Sequence, residues 1–276
     1  AFTYCLNMAT IRGQNLGFIK ELEVAGAAGF RSVEIWINSY QTYLKNGGSF
    51  ADARKRISDL GLTIENAIGF APWIVDDDAK RKEAIEQLKT EMGQLKEIGC
   101  SRIAAPPMGA TSLPLIDLNK AAERYRTILE LGDSTGVVPH LELWGFSKNL
   151  CRLSEVMYVA LQSSHPSAKV LLDSYHIYKG QSDISTLPLI NPLAVDIFHV
   201  NDVPPDLSPE KITDADRILP GDGVAPVRKE LEILKHPDRP LIISLEIFNQ
   251  ELYKKDALYV CKTGLDKMKK ITSGMA

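Results

Sequence analysis

No run of apolar residues in this 276-residue chain approaches the roughly 20 needed to cross a bilayer, so a spanning helix is excluded and no membrane partner is expected. An excess of charge of one sign is missing too. Thirty-two Lys+Arg stand against 35 Asp+Glu, a formal net of −3, which argues against a nucleic-acid surface or a polybasic membrane patch. Cysteine is scarce: Cys5, Cys100, Cys151 and Cys261 are widely scattered and form no C-x-x-C pair. A chain this long buries its own core without disulfide staples, so the four read as reduced thiols that decide neither metal nor redox function. Compositional bias is lacking, with 45% hydrophobic and 24% charged residues, which excludes disorder, collagen-like repeats and coiled coil. The first residue is Ala1. The expected location is therefore cytoplasmic, or periplasmic or secreted if a signal peptide was removed before Ala1.

What is present is a strong alternation of two periodicities. Helical spacing is clear at 79–98, 117–132 and 254–271. In the first, Ile85, Leu88, Met92 and Leu95 recur every three or four residues. Weaker helical segments fall at 15–28, 50–60, 150–162, 183–190 and 224–235. Between them lie β-rich runs at 2–6, 32–37, 62–67, 102–105, 137–143, 169–172, 195–200 and 241–247. Several follow a helix-ending glycine, as at Gly29, Gly61 and Gly99. Eight strands alternating with eight helices imply parallel βαβ units. No glycine fingerprint follows the first strand, so closure into a (β/α)8 barrel is preferred to a doubly wound sheet. With no linker or composition shift, residues 1–276 are expected to form one barrel domain. The 203–223 segment, VPPDLSPEKITDADRILPGDG, is too long for an ordinary connection. It is expected to lie over the barrel mouth as a lid or binding loop.

The ends of the expected strands carry the chemistry. Glu34 sits in VEIW, Asn66 ends the third run, and Glu142 lies in HLELW; Asp173 lies in VLLDSYH, His199 in IFHVND and Glu246 in ISLEIF. An ionisable group in an otherwise apolar strand is suspicious, because burying an unpaired charge is costly. Leu141/Leu143 and Leu245/Ile247 flank Glu142 and Glu246 on the opposite pleat face. Two Glu, one Asp and one His around a ring suit Mn²⁺, Mg²⁺, Co²⁺ or Zn²⁺.

The segments LELWGF, LLDSYH, FHVND and SLEIF resemble the strand-end signatures of the xylose-isomerase-like barrel superfamily, the sugar phosphate isomerase/epimerase group. The resemblance follows the whole chain in strand order and is strongest over 137–247. It implies one divalent metal ion held by Glu142, Asp173, His199 and Glu246, with Glu142 and Glu246 doubling as base and acid. It further implies that His176 of D-x-x-H and Arg217 of DADRILPGDG contact substrate. A small sugar or cyclitol is then the expected partner, and a homo-oligomer is among the states the family adopts.

A divalent ion chelating a carbonyl and the neighbouring hydroxyl favours loss of the intervening carbon-bound proton. Flanking carboxylates can move that proton. Epimerisation, aldose–ketose isomerisation and dehydration of an inosose or dehydroshikimate type substrate all begin this way. Trp36, Trp73 and Trp144, with Phe70, Phe146 and Phe248, are candidates for the pocket's side walls. Glu34 and Asn66 are candidates for binding hydroxyls, with Glu34 equally a candidate structural partner, and Asn7 and Arg12 after the first strand are candidate contacts. The lack of a basic cluster at the last strand ends favours an unphosphorylated substrate. Metal-dependent abasic-site endonucleases share the fold but need many histidines, and this chain has five. A non-catalytic sugar-binding barrel remains the rival outside enzymology, and metal binding discriminates against it.

Overall fold

In the computed structural model, which describes residues 1–275, every expected β-run becomes a strand. They are β1 (Phe2–Asn7), β2 (Ser32–Trp36), β3 (Thr63–Ile68), β4 (Arg102–Ala105), β5 (Val138–Glu142), β6 (Val170–Asp173), β7 (Ile197–Val200) and β8 (Leu241–Leu245). Among the described residues they pair in parallel and in chain order, and β8 returns to β1 to close the barrel. β2, β6, β7 and β8 are buried at every position, as a parallel sheet covered by helices requires.

The covering helices are α1 (Phe18–Ala28), α2 (Ile37–Lys45), α3 (Phe50–Asp59), α4 (Asp78–Glu97), α5 (Leu118–Thr135), α6 (Leu153–Gln162), α7 (Ser174–Lys179), α8 (Val227–Leu234), α9 (Gln250–Tyr253) and α10 (Ala257–Ile271). Aspartates start the three long ones. Asp77, Asp117 and Asp256 each accept a backbone N–H of the first turn, satisfying donors the helix cannot reach. Their apolar stripes face inward: Leu88, Met92 and Leu95 on α4, and Cys261, Leu265 and Met268 on α10, are buried. Each such side chain contributes about 1.5–3 kcal/mol of transfer free energy. No helix among the described residues is long and apolar enough to cross a membrane.

One local expectation needs correction, and two short helices lie outside the expected set. The 183–190 segment is not an α-helix but a 3₁₀ stretch, Ile184–Leu189, with Pro188 inside it; proline cannot donate the N–H an α-helix needs there. α2 was not anticipated, because INSYQTYLK buries only Ile37 and Tyr40, too few to show a period. α7 is likewise short. It is started by Asp173, whose side chain accepts the backbone N–H of His176 at 3.2 Å. The four cysteines are free.

Candidate active site

A cavity of about 660 Å³ opens where the strands end. Glu142, His176, Arg217 and Glu246 line it, as do Trp36, Phe70, Trp144, Phe146 and Phe248. Trp144 stacks on Phe146 at 5.2 Å. The polar groups lie deep, with Glu142 and Glu246 each under 5% exposed, while the aromatic rings form the walls.

Register explains the convergence. Asn7, Glu34 and Asn66 stand abreast on β1, β2 and β3, and a register shift lies between Val33 and Glu34. Asp173, His199 and Ser244 stand abreast on β6, β7 and β8. Glu34 therefore meets His199 inside the barrel: His199 Nε2 lies 2.9 Å from Glu34 Oε1. Asn7 Nδ2 donates to Glu34 Oε1 (3.2 Å) and to Glu246 Oε1 (3.1 Å), and Asn66 Nδ2 donates to Glu34 Oε2 (2.8 Å). With Nε2 committed to Glu34, His199 turns Nδ1 toward Glu246 Oε2 (3.1 Å) and Asp173 Oδ2 (3.5 Å).

Glu142, His199 and Glu246 each offer one ligand atom, all within 4.8 Å of one another. Glu142 Oε2 is buried without a hydrogen-bond partner, and His199 Nδ1 makes no aligned hydrogen bond to the carboxylate oxygens beside it. Such unsatisfied polar atoms on two residues of one trio are what a divalent cation would satisfy, and a histidine oriented by a carboxylate on its other nitrogen is the usual arrangement behind a metal ligand. The residues fit such an ion. Charge points the same way. Burial, then repulsion from Glu246, pushes the Glu142 carboxyl up to about 8. Burial would depress the His199 pKa, but the nearby Glu246 and Glu34 outweigh it and hold the ring well above its ordinary value.

Asp173, expected as a fourth ligand, borders this trio. Its Oδ1 accepts from Asn201 Nδ2 (3.0 Å) as well as the His176 N–H, and its Oδ2 lies 3.2 Å from Arg217 Nη1. Burial opposes its ionisation, yet the Arg217 charge prevails and holds it well below the usual carboxylate range. Arg217 is 1% exposed and sits 4.2 Å over the Tyr175 ring. It donates to Glu246 Oε2 (2.8 Å) and to Asp214 Oδ1 (2.6 Å).

His176 is held by a close approach of two glycines. A Cβ on Gly145 would stand 2.3 Å from the His176 carbonyl oxygen, and one on Gly180 would stand 1.9 Å from that of Cys151. The Gly145 N–H donates to His176 Nδ1 at 3.0 Å. In the neutral ring, which burial favours here, the proton must then reside on Nε2. Arg217 Nη2 lies 3.2 Å away; with protons on both nitrogens the two do not bond each other, and an acceptor oxygen of a ligand on the cavity side can bridge them.

Some expected contacts sit elsewhere. Glu34 and Asn66 are fully buried and do not line the cavity; Glu34 orients His199. Trp73 is also outside it, buried against Tyr125 with its Nε1 donating to the Pro106 carbonyl. The 203–223 loop does reach the mouth through Asp214, Ala215 and Arg217, but it is tied down rather than free. Asp202 accepts the N–H groups of Val203, Gly221 and Ala225 at 2.8–2.9 Å. Asn201 and Asp202, which brace Asp173 and this loop, escaped the sequence reading. Their signal was two polar residues directly after the buried IFHV strand.

The fold and this centre define a (β/α)8 barrel with a buried carboxylate–histidine cluster at the strand ends. The chain belongs to the xylose isomerase-like TIM barrel family, whose model it matches over residues 22–271. It is 26% identical over 278 residues to an inosose isomerase of Bacillus velezensis, covering 98% of this chain and 96% of that one. A 3-dehydroshikimate dehydratase of Pseudomonas putida is 25% identical over 177 residues, 61% of this chain and 26% of that protein. Among solved structures, the IOLI protein with a bound zinc atom superposes with a TM-score of 0.87 at 22% identity, covering 99% and 98% of the two chains. An L-ribulose 3-epimerase gives a TM-score of 0.74 at 16% identity, covering 98% and 94%.

Proposed function

We propose that this protein is a divalent-metal-dependent isomerase or epimerase of a polyhydroxylated ketone, a sugar or cyclitol, working by removal of the proton beside the carbonyl. The observation that carries this reading is the Glu142–His199–Glu246 trio with its two buried atoms that lack a hydrogen bond, set at the floor of an aromatic-walled cavity. The inosose isomerase relatives support the substrate class. Glu142, His199 and Glu246 would hold the ion, with Asp173 beside them and Glu34 fixing the His199 ring. When bound, a divalent ion supplies Lewis acidity to the substrate's carbonyl and adjacent hydroxyl oxygens.

The side chains do the rest. Glu142 and Glu246 approach the reacting carbons from neighbouring positions on the cavity floor, one accepting the carbon-bound proton and the other returning one. Return to the opposite face inverts the centre; return to the adjacent carbon, with the neighbouring hydroxyl's proton passing to the former carbonyl oxygen, moves the carbonyl. His176 Nε2–H and Arg217 Nη2–H grip a substrate oxygen, and the rings of Trp144, Phe146 and Phe248 exclude water from the deprotonated carbon.

Incubation with ketoses, inososes and hydroxypyruvate in D2O, with an EDTA-treated control, tests the reading by NMR. Metal-dependent deuterium uptake beside a carbonyl is the expected result. Loss of a β-hydroxyl instead would select dehydration, the reading favoured by the partial likeness to 3-dehydroshikimate dehydratases. Glu142→Gln and Glu246→Gln should each abolish exchange while circular dichroism stays native. Full activity in either variant removes that residue from the proton transfer.

A further inference from the structure

We infer that Arg12, laid on the indole of Trp36 at the rim of the cavity, binds a carboxylate of the substrate and so selects an acidic polyhydroxy ketone over a neutral one. This deepens the proposed function and rests on it for the identity of the cavity. Arg12 Cζ stands 4.1 Å from the Trp36 ring centroid, a stacking distance at which the guanidinium face is attracted to the ring while its N–H edges stay free. Both residues line the cavity.

The platform is rigid. The Trp36 indole is buried and its Nε1 donates to Asn7 Oδ1 at 3.3 Å; the same Asn7 donates to Glu246. Arg12 lies in the 3₁₀ turn Met8–Gln14 that follows β1. That turn is clamped by Tyr253, whose hydroxyl donates to the Ala9 carbonyl at 2.7 Å and whose ring would collide with a Cβ on Gly13. Gln14 Nε2 adds a bond to the Leu252 carbonyl at 3.0 Å.

The two arginines of the cavity differ in their partners. Arg217 is ion-paired with Asp173, Asp214 and Glu246. Among the described residues Arg12, itself exposed, makes no ion pair and no side-chain hydrogen bond; its charge acts on the Glu21 carboxyl and the Tyr253 hydroxyl without such a contact. A guanidinium held at the cavity rim with its N–H edges free of protein partners offers a seat for an anion brought by the ligand. A planar carboxylate matches the free edge of one guanidinium bidentately. A phosphate dianion would ask for more cations than this rim provides.

Quinate, its neutral amide quinamide and myo-inositol 1-phosphate serve as probes, with binding read by calorimetry and by tryptophan fluorescence, with and without Mn²⁺. Wild-type protein should prefer quinate to quinamide by about tenfold or more, as expected of a charge-assisted hydrogen bond. Arg12→Gln should lose that preference by weakening quinate alone, and Arg12→Lys should keep part of it. Equal binding of quinate and quinamide overturns the inference, as does equal weakening of both by Arg12→Gln. Tighter binding of inositol phosphate than quinate overturns the carboxylate assignment. These readouts are binding alone. A protein that exchanges deuterium yet ignores the quinate charge refutes this inference only; one that reads the charge yet never exchanges refutes the proposed function only.

Discussion

Replacing Glu34 by Gln tests whether a carboxylate outside the cavity governs the proposed metal site. The wild-type carboxylate accepts from three donors at once: Asn7 Nδ2, Asn66 Nδ2 and His199 Nε2. Gln offers one acceptor oxygen and one NH2, so its NH2 must face a donor whichever way the amide turns. One buried donor is left unsatisfied, which costs about 1–3 kcal/mol. For a protein of this size that corresponds to a melting-temperature drop of about 2–4 °C per kcal/mol. A second effect falls on His199. Without the negative charge at Nε2 the ring loses both its orientation and its enhanced basicity at Nδ1. Such outer partners are worth about 10–100-fold in metal affinity, or about 1.4–2.7 kcal/mol. Competitive chelator titration with Mn²⁺ or Zn²⁺ measures the affinity, and a thermal melt in EDTA measures the stability separately. Wild-type affinity in Glu34→Gln, with the melt lowered or not, would refute the claim that Glu34 acts through His199.

Burial lifts the Glu91 carboxyl on α4 to about 7. The folded state therefore keeps a proton that the unfolded chain releases near 4.5. Stability contributed below pH 4.5 is lost as pH rises toward 7, by about 3 kcal/mol from this group. Glu91→Gln should flatten that slope in urea titrations and raise stability at pH 8 without changing it at pH 4; an unchanged slope refutes the protonated state. Asp202→Asn puts an amide NH2 beside a backbone donor, Gly221 N–H or those of Val203 and Ala225. Destabilisation of about 1–3 kcal/mol is expected, with KM raised because the turn carrying Arg217 loosens. A raised KM without any change in the melt would show that Asp202 acts on substrate directly.

The barrel was legible because eight short apolar runs, separated by amphipathic helices, leave few other ways to bury both faces of a sheet. The buried cluster was legible for a related reason: Glu142, Asp173 and His199 are ionisable groups inside apolar strands and Glu246 directly follows one, and such groups need partners. What each group partners was not legible, because that depends on register between strands distant in sequence. Glu34 read equally as a hydroxyl-binding residue and as a structural partner; the register shift skips Glu65 on β3 and sets Asn66 abreast of Glu34, which meets His199 across the barrel. Trp73 read like Trp36 and Trp144, yet the direction of a loop indole is set by the carbonyl its Nε1 finds. α2 and α7 were invisible because each buries only a few residues against strands already in place.

Arg217 divides the buried acids, and the division has a measurable consequence. It pairs with Asp173 and Glu246, while His199 faces Glu34. Glu142 is left with an unpartnered oxygen and a carboxyl raised to about 8. Without an ion, burial and the neighbouring acids bias both Glu142 and His199 toward their protonated forms. A divalent ion accepts only the carboxylate and the neutral imidazole. Its binding should then release protons, read by calorimetry in buffers of differing ionisation enthalpy. Glu142→Gln should release fewer. Release of none by the wild type would mean that the ion lodges elsewhere, or that Arg217 leaves its place between Asp173 and Glu246 and the acids rearrange around the metal.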